Sequence, residues 1–150
     1  MIVQDIMNTS VKSATTDTFI RDIAATMCFN KISGVPVVDN NGQLIGVLSE
    51  KDILRNMFPD INQLMSQGGS INFEDMETEY SGIMDKKVGD LMTEAVASVT
   101  PEMPLLKAAS MMCSKQIRRI PVTTDDNKLI GIISIGDVHK AIFQANLLKK

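Results

Sequence analysis

Apolar positions along the chain change period in a fixed order, and the same order occurs twice. Ile20, Ile23, Ala24 and Met27 recur at three- and four-residue steps, the spacing of one helix face, and Thr18 stands where it can cap that helix. Two β-rich runs follow, Val35–Val38 and Leu44–Leu48, joined by the turn composition Asp39-Asn40-Asn41-Gly42. A closing helix is expected from about Glu50 to Met57. The second copy places Leu105, Leu106, Ala108, Met111 and Met112 behind Pro104, uses Thr124–Asn127 as its turn, and closes with a helix from about Gly136 to Leu148. A short helical turn at 3–7 and 88–92, then a brief strand at Val11–Ser13 and Val96–Val99, precede each first helix. The expected fold class is therefore α/β (α+β), built from two β-α-β-β-α units.

The two copies are in register without a gap. Val3-Gln4-Asp5-Ile6-Met7 returns as Val88-Gly89-Asp90-Leu91-Met92, Met27-Cys28 as Met112-Cys113, and Val35-Pro36-Val37 as Ile120-Pro121-Val122. Equal spacing throughout predicts one shared backbone, two units that bury their apolar faces together, and a duplicated site. The expected organisation is repeat 1 over 1–57, a linker over 58–87 and repeat 2 over 88–150. The linker carries Gln67-Gly68-Gly69-Ser70 and an acidic run, Glu74, Asp75, Glu77 and Glu79. At that length it is expected to hold short helices near Ile61–Met65 and Phe73–Met84, with the acids on a solvated face.

Composition narrows the function. With 150 residues, 44% hydrophobic and 22% charged, the chain is a folded globular one rather than a disordered or fibrous one. No stretch is long and apolar enough to span a bilayer, and the first residues lack a secretory pattern, so a cytoplasmic location is the expectation. A net charge of −3 with dispersed cations argues against nucleic acid. Cys28 and Cys113 are expected to be small buried apolar side chains, since no Cys-x-x-Cys spacing accompanies them and His139 is the single histidine. The 11 methionines are assigned to core and interface packing, and His139 to a surface or interface position. No catalytic residue and no metal site are expected.

The segment Gly46-Val47-Leu48-Ser49-Glu50-Lys51-Asp52 and its counterpart Gly131-Ile132-Ile133-Ser134-Ile135-Gly136-Asp137 carry the chemistry. Each leaves an apolar strand and enters the first turn of a helix, so a hydroxyl and a carboxylate converge near free backbone N–H groups. Two readings fit that spacing. Ser at the N-cap with Asp three positions on makes a capping box, Asp replacing the usual Glu or Gln. The same geometry also lets Asp52 and Asp137 accept two hydrogen bonds from a ribose diol, with Ser49 and Ser134 beside a phosphate or ribose oxygen.

The full pattern, Val-x-Asp-[Ile/Leu]-Met, then [Val/Ile]-Pro-Val, then Gly-h-h-Ser-x-x-Asp with h aliphatic, occurs in this order twice. In that combination the chain resembles a tandem pair of cystathionine-β-synthase (CBS) domains, a Bateman module. The resemblance implies two units packed through their sheets about a pseudo-twofold axis, with clefts that hold AMP, ADP, ATP or S-adenosylmethionine in many members. It implies Asp52 and Asp137 as ribose acceptors beside Ser49 and Ser134. It also implies base-pocket walls from Val11–Thr16, with Thr15 and Thr16, from Val96–Thr100, with Thr100, and from Val35, Pro36, Ile120 and Pro121. Arg118 and Arg119 stand where phosphate-binding members place basic residues, against Ser33 and Gly34 in the first copy, so the clefts are unequal in charge. Arg55 and Lys140 are weaker candidates.

The leading expectation is a stand-alone regulatory module, not an enzyme, with no catalytic cofactor. It would bind an adenosine-containing ligand and signal in trans to an unidentified protein, as a homodimer through its apolar helix faces. The alternative is a structural or oligomerisation module whose clefts are vestigial and whose Ser/Asp pairs only cap helices.

Overall fold

The computed structural model describes residues 1–58 and 73–149, and the expected helix near Ile61–Met65 lies outside them. Two packing units result, and they exchange their opening turns. One, here the C-terminal unit, comprises Met1–Lys12, Asn40–Leu44 and Val96–Lys150; the other, the N-terminal unit, comprises Ser13–Asp39 and Ile45–Ala95. Repeats drawn from sequence and units drawn from packing therefore differ at residues 1–12, 40–44 and 88–95, and the described part of the segment expected as a linker falls within the N-terminal unit.

In the N-terminal unit, helix α1 (Ile20–Asn30) leads to strand β1 (Gly34–Val38), strand β2 (Leu44–Ser49) and helix α2 (Glu50–Arg55). Helix α3 (Phe73–Ile83) and the one-turn helix α4 (Val88–Leu91) also belong to it. The C-terminal unit opens on a 3-10 turn (Val3–Asp5), followed by α5 (Leu105–Lys115), β3 (Arg119–Thr123), β4 (Leu129–Ser134) and α6 (Ile135–Leu147). Each unit holds one two-stranded sheet, β1 with β2 and β3 with β4, the second antiparallel.

The gapless repeat does give one backbone twice. Lys31 and Gln116, equivalent positions, end α1 and α5 in the left-handed conformation at φ 53° and 56°. At the matching turn positions Gly42 has φ 80° and Asn127 φ 63°, the two residue types that tolerate this region best. Core positions repeat as well: α1 buries Ile20, Ile23 and Met27, and α5 buries Leu105, Ala108 and Met112. Each set packs on its strands, with Val35, Val37 and Leu48 in one core and Ile120, Val122 and Ile133 in the other.

Three expectations change. The brief strands expected at Val11–Ser13 and Val96–Val99 give way to single parallel bridges, Ala14 to Val37 and Val99 to Val122, and extending the pairing back along the chain would need a backbone N–H that Pro36 and Pro121 lack. Thr18 does not cap α1. Phe19 is the N-cap, and the free N–H groups of Ile20 and Arg21 donate to the carbonyls of Lys86 and Met84 instead, while Thr18 Oγ1 accepts from Thr15 N. Cys28 and Cys113 are exposed rather than buried. Each directly follows a buried methionine, and one step along a helix turns a side chain roughly 100° from the core face.

Glycine leaves room where the exchanged turns pass the strands. A Cβ on Gly46 would lie 2.9 Å from the Thr93 carbonyl oxygen, whereas one on Gly131 would meet the Met7 sulfur at 2.9 Å and the Asn8 carbonyl at 3.2 Å. A thioether swings aside and a paired backbone does not. Gly46→Ala is therefore expected to lower the unfolding free energy by about 1–3 kcal/mol and Gly131→Ala by less, read from urea midpoints at constant slope. Equal losses would show that backbone crowding is not what sets the cost.

Candidate functional site

Each Ser–Asp pair sits where a strand hands over to a helix, and its two members meet because N-cap geometry demands it. Ser49, extended at φ −118° and ψ 163°, caps α2 and accepts from Asp52 N at 3.2 Å. Asp52 Oδ2 in return accepts from Ser49 N at 2.9 Å and from Ser49 Oγ at 3.1 Å. The capping box is complete in the first copy. Asp52 has a third partner, Thr93, whose Oγ1 donates to Oδ1 at 3.1 Å, and Arg55 stands 3.8 Å from the same oxygen. The carboxylate is engaged on both oxygens, and the residue is only 5% exposed.

The second copy has the same backbone and a different carboxylate. Ser134, at φ −110° and ψ 155°, caps α6 and accepts from Asp137 N at 3.0 Å. Nothing reciprocates: among the described residues the Asp137 side chain has neither a hydrogen-bond donor nor a cation against it, and the residue is exposed. Lys140, three residues on, makes no ion pair with it.

Sequence left open which Asp the arginine pair accompanies. Arg119 is the register partner of Ser134 across β3 and β4, and the Arg118 carbonyl accepts from Ile135 N at 2.8 Å. Both arginines are exposed and flank the Ser134–Asp137 turn. In the first copy Ser33 O takes the equivalent hydrogen bond from Glu50 N at 2.9 Å, and Gly34 brings no side chain at all. Two cations and a carboxylate without a partner among the described residues thus share one end of β3 and β4, while at the corresponding end of β1 and β2 Ser33 and Gly34 replace the arginine pair and the Asp52 carboxylate is engaged.

The candidate base-pocket segments lie where the bridges put them. Ala14 N donates to Pro36 O and Val99 N to Pro121 O, each at 3.0 Å, which sets Thr15 and Thr16 beside Val35-Pro36 and Thr100 beside Ile120-Pro121. Val35, Pro36, Ile120 and Pro121 are buried, Thr16 and Thr100 half-buried, and Thr15 exposed with its hydroxyl 3.2 Å from that of Thr18. His139 is exposed and stacks against Phe143, its ring centroid 6.5 Å away. No group of three or more metal-ligating side chains occurs among the described residues, and none of their helices is long and apolar enough to cross a membrane.

Thr93 escaped the sequence reading. It holds the position of Asn8 in the other copy, directly after the methionine of Val-x-Asp-[Ile/Leu]-Met, and nothing in the spacing ties it to Asp52. The tie is tertiary: Val47 and Thr93 exchange two backbone hydrogen bonds of 2.9 Å, which carries the Thr93 hydroxyl to the carboxylate.

A family model described as CBS domain matches the chain twice, over residues 3–58 and 88–144. The protein MJ1426 of Methanocaldococcus jannaschii is 30% identical over 95% of this chain and 91% of its own length. Chloroplastic CBSX2 of Arabidopsis thaliana is 32% identical over 85% of this chain, which spans 56% of that relative. A crystal structure of CBSX2 in complex with AMP aligns at a TM-score of 0.72, with 30% identity, 97% of this chain and 98% of that one covered. Inosine-5'-monophosphate dehydrogenase of Helicobacter pylori is 34% identical over 75% of this chain, which corresponds to 18% of the enzyme.

Proposed function

The chain belongs to the CBS domain family, and from that premise we propose that it is a regulatory module whose Asp137 site binds an adenosine-containing ligand, foremost AMP. The observation that carries this reading is the Asp137 carboxylate, exposed and without a partner among the described residues, held in the first turn of α6 beside Arg118 and Arg119. An unpaired carboxylate accepts both hydroxyls of a ribose diol, Ser134 Oγ has its own proton to donate, and two guanidiniums neutralise a phosphate. Thr100, Ile120 and Pro121 wall the base on the same unit. Asp52 with Ser49, Thr15, Thr16, Val35 and Pro36 forms the second, subordinate site. The AMP complex of CBSX2 supports the ligand class. ADP, ATP and S-adenosylmethionine share the adenosine half and differ in what meets the arginines.

The module is not an enzyme in this reading: among the described residues its candidate site pairs an acceptor carboxylate with cations and sets no nucleophile within its reach. The likeness to a dehydrogenase takes in 18% of that enzyme, so its chemistry does not carry over. In the same reading it signals to a protein partner in a cytoplasmic setting. Leu106, Phe143, Leu147 and Leu148 expose 55–85% of their surface on α5 and the end of α6, an apolar face suited to a second copy.

Calorimetry with AMP tests the assignment. One dominant, salt-sensitive site per chain is expected, and Arg118→Ala with Arg119→Ala should lower AMP affinity by roughly 10- to 100-fold while adenosine binds as before. Equal losses for AMP and adenosine would assign the arginines to packing. Native mass spectrometry of the same sample should show twice the 16.4 kDa chain mass; a monomer independent of dilution would remove the dimer.

A further inference from the structure

We propose that Thr93 decides how many ligands the chain takes, by holding the Asp52 carboxylate closed against the diol that Asp137 is free to accept. This deepens the functional reading above and rests on the two aspartates being adenosine acceptors. The repeat supplies its own control. Thr93 and Asn8 are pinned identically: Thr93 exchanges two backbone hydrogen bonds of 2.9 Å with Val47, and Asn8 exchanges two of 2.9 Å with Ile132, the equivalent strand residue. Their side chains then diverge. Thr93 Oγ1 donates to Asp52 Oδ1 at 3.1 Å, whereas Asn8 turns back and accepts from Ser10 N at 2.9 Å, leaving Asp137 untouched.

A ribose diol needs one acceptor position for each hydroxyl. On Asp52, Oδ2 already receives Ser49 N and Ser49 Oγ, and Oδ1 receives Thr93 with Arg55 3.8 Å away. Three donors leave one of the carboxylate's roughly four acceptor positions, so a diol gains its second hydrogen bond there only by displacing an existing charge-assisted one. Binding at Asp137 displaces nothing. Thr93 is thus a specificity-determining residue outside the Gly-h-h-Ser-x-x-Asp motif, and it acts on stoichiometry.

The test uses the full chain with AMP and adenosine as probes, in a background where Asp137→Asn silences the open site. Thr93→Val, which keeps the shape and the backbone pairing but lacks the donor, should raise affinity at the Asp52 site roughly tenfold and make it sensitive to Asp52→Asn. Thr93→Ser restores the donor and should return the low affinity. The threonine is exposed, so the fold tolerates both changes. A reciprocal variant guards against repacking: Asn8→Thr in the otherwise native chain should weaken the Asp137 site. Two equal sites in the native chain, or no change on Thr93→Val, would overturn the role of Thr93 and leave the adenosine reading standing. Binding of neither probe to the native chain or to Thr93→Val would overturn the adenosine reading, and this inference with it.

Discussion

Asp137→Ala and Asp52→Ala, equivalent substitutions in a repeated motif, are expected to fail in opposite ways. Asp137 has no partner for its carboxylate among the described residues, so its removal should cut AMP affinity by about 1.5–3 kcal/mol, the loss typical of a charged hydrogen-bonding partner. Folding should lose only about 0.3–1 kcal/mol, the contribution of an exposed negative charge in a first helical turn. Asp52 is 5% exposed and receives Ser49 N, Ser49 Oγ and Thr93 Oγ1. Its removal leaves those donors without their acceptor and should lower the unfolding free energy by about 1.5–3 kcal/mol, with the dominant AMP site little changed. Urea unfolding and calorimetry on the two variants separate the effects. The assignment fails if the affinity loss follows Asp52 or if both variants unfold alike.

Leu48→Ala carries the largest expected stability loss, about 2–5 kcal/mol. Leu48 is fully buried in β2, packed in the core that contains Ile20, Ile23, Met27, Val35 and Val37. Truncation removes apolar burial and leaves a cavity among buried neighbours on α1 and β1, so collapse is limited. The same change should also loosen the Ser49–Asp52 turn that follows directly. Chemical denaturation checks the first effect, and hydrogen exchange at Asp52 N, bonded to Ser49 Oγ, checks the second. A loss below about 1 kcal/mol would show that this core repacks freely.

The two aspartates also show how far the residue pattern reaches. Capping and ribose acceptance fit the Ser-x-x-Asp spacing equally well, and in the first copy the complete capping box realises the first reading within the chain itself. In the second copy the serine caps and the aspartate does not reciprocate. Identical spacing thus produces different carboxylate environments. The difference comes from Thr93, 41 positions from Asp52, and from Asn8, which bonds locally instead. No periodicity connects such residues.

By itself the sequence determined what short-range physics controls. Apolar spacing specifies which faces of α1 and α5 are buried, Asn-rich and Gly-containing segments specify the turns, and serine before a first helical turn specifies the N-caps of α2 and α6. The gapless repeat likewise carries the equal left-handed ends at Lys31 and Gln116. Only the tertiary structure decided which strand each opening turn pairs with, that the Lys86 and Met84 carbonyls displace Thr18 as the cap of α1, that the cysteines face outward, and which aspartate stays open. The physical reason is degeneracy. Residues 3–7 and 88–92 present the same apolar positions to either unit, so local pattern is indifferent to the exchange, and the choice is made by backbone hydrogen bonds between segments far apart in the chain.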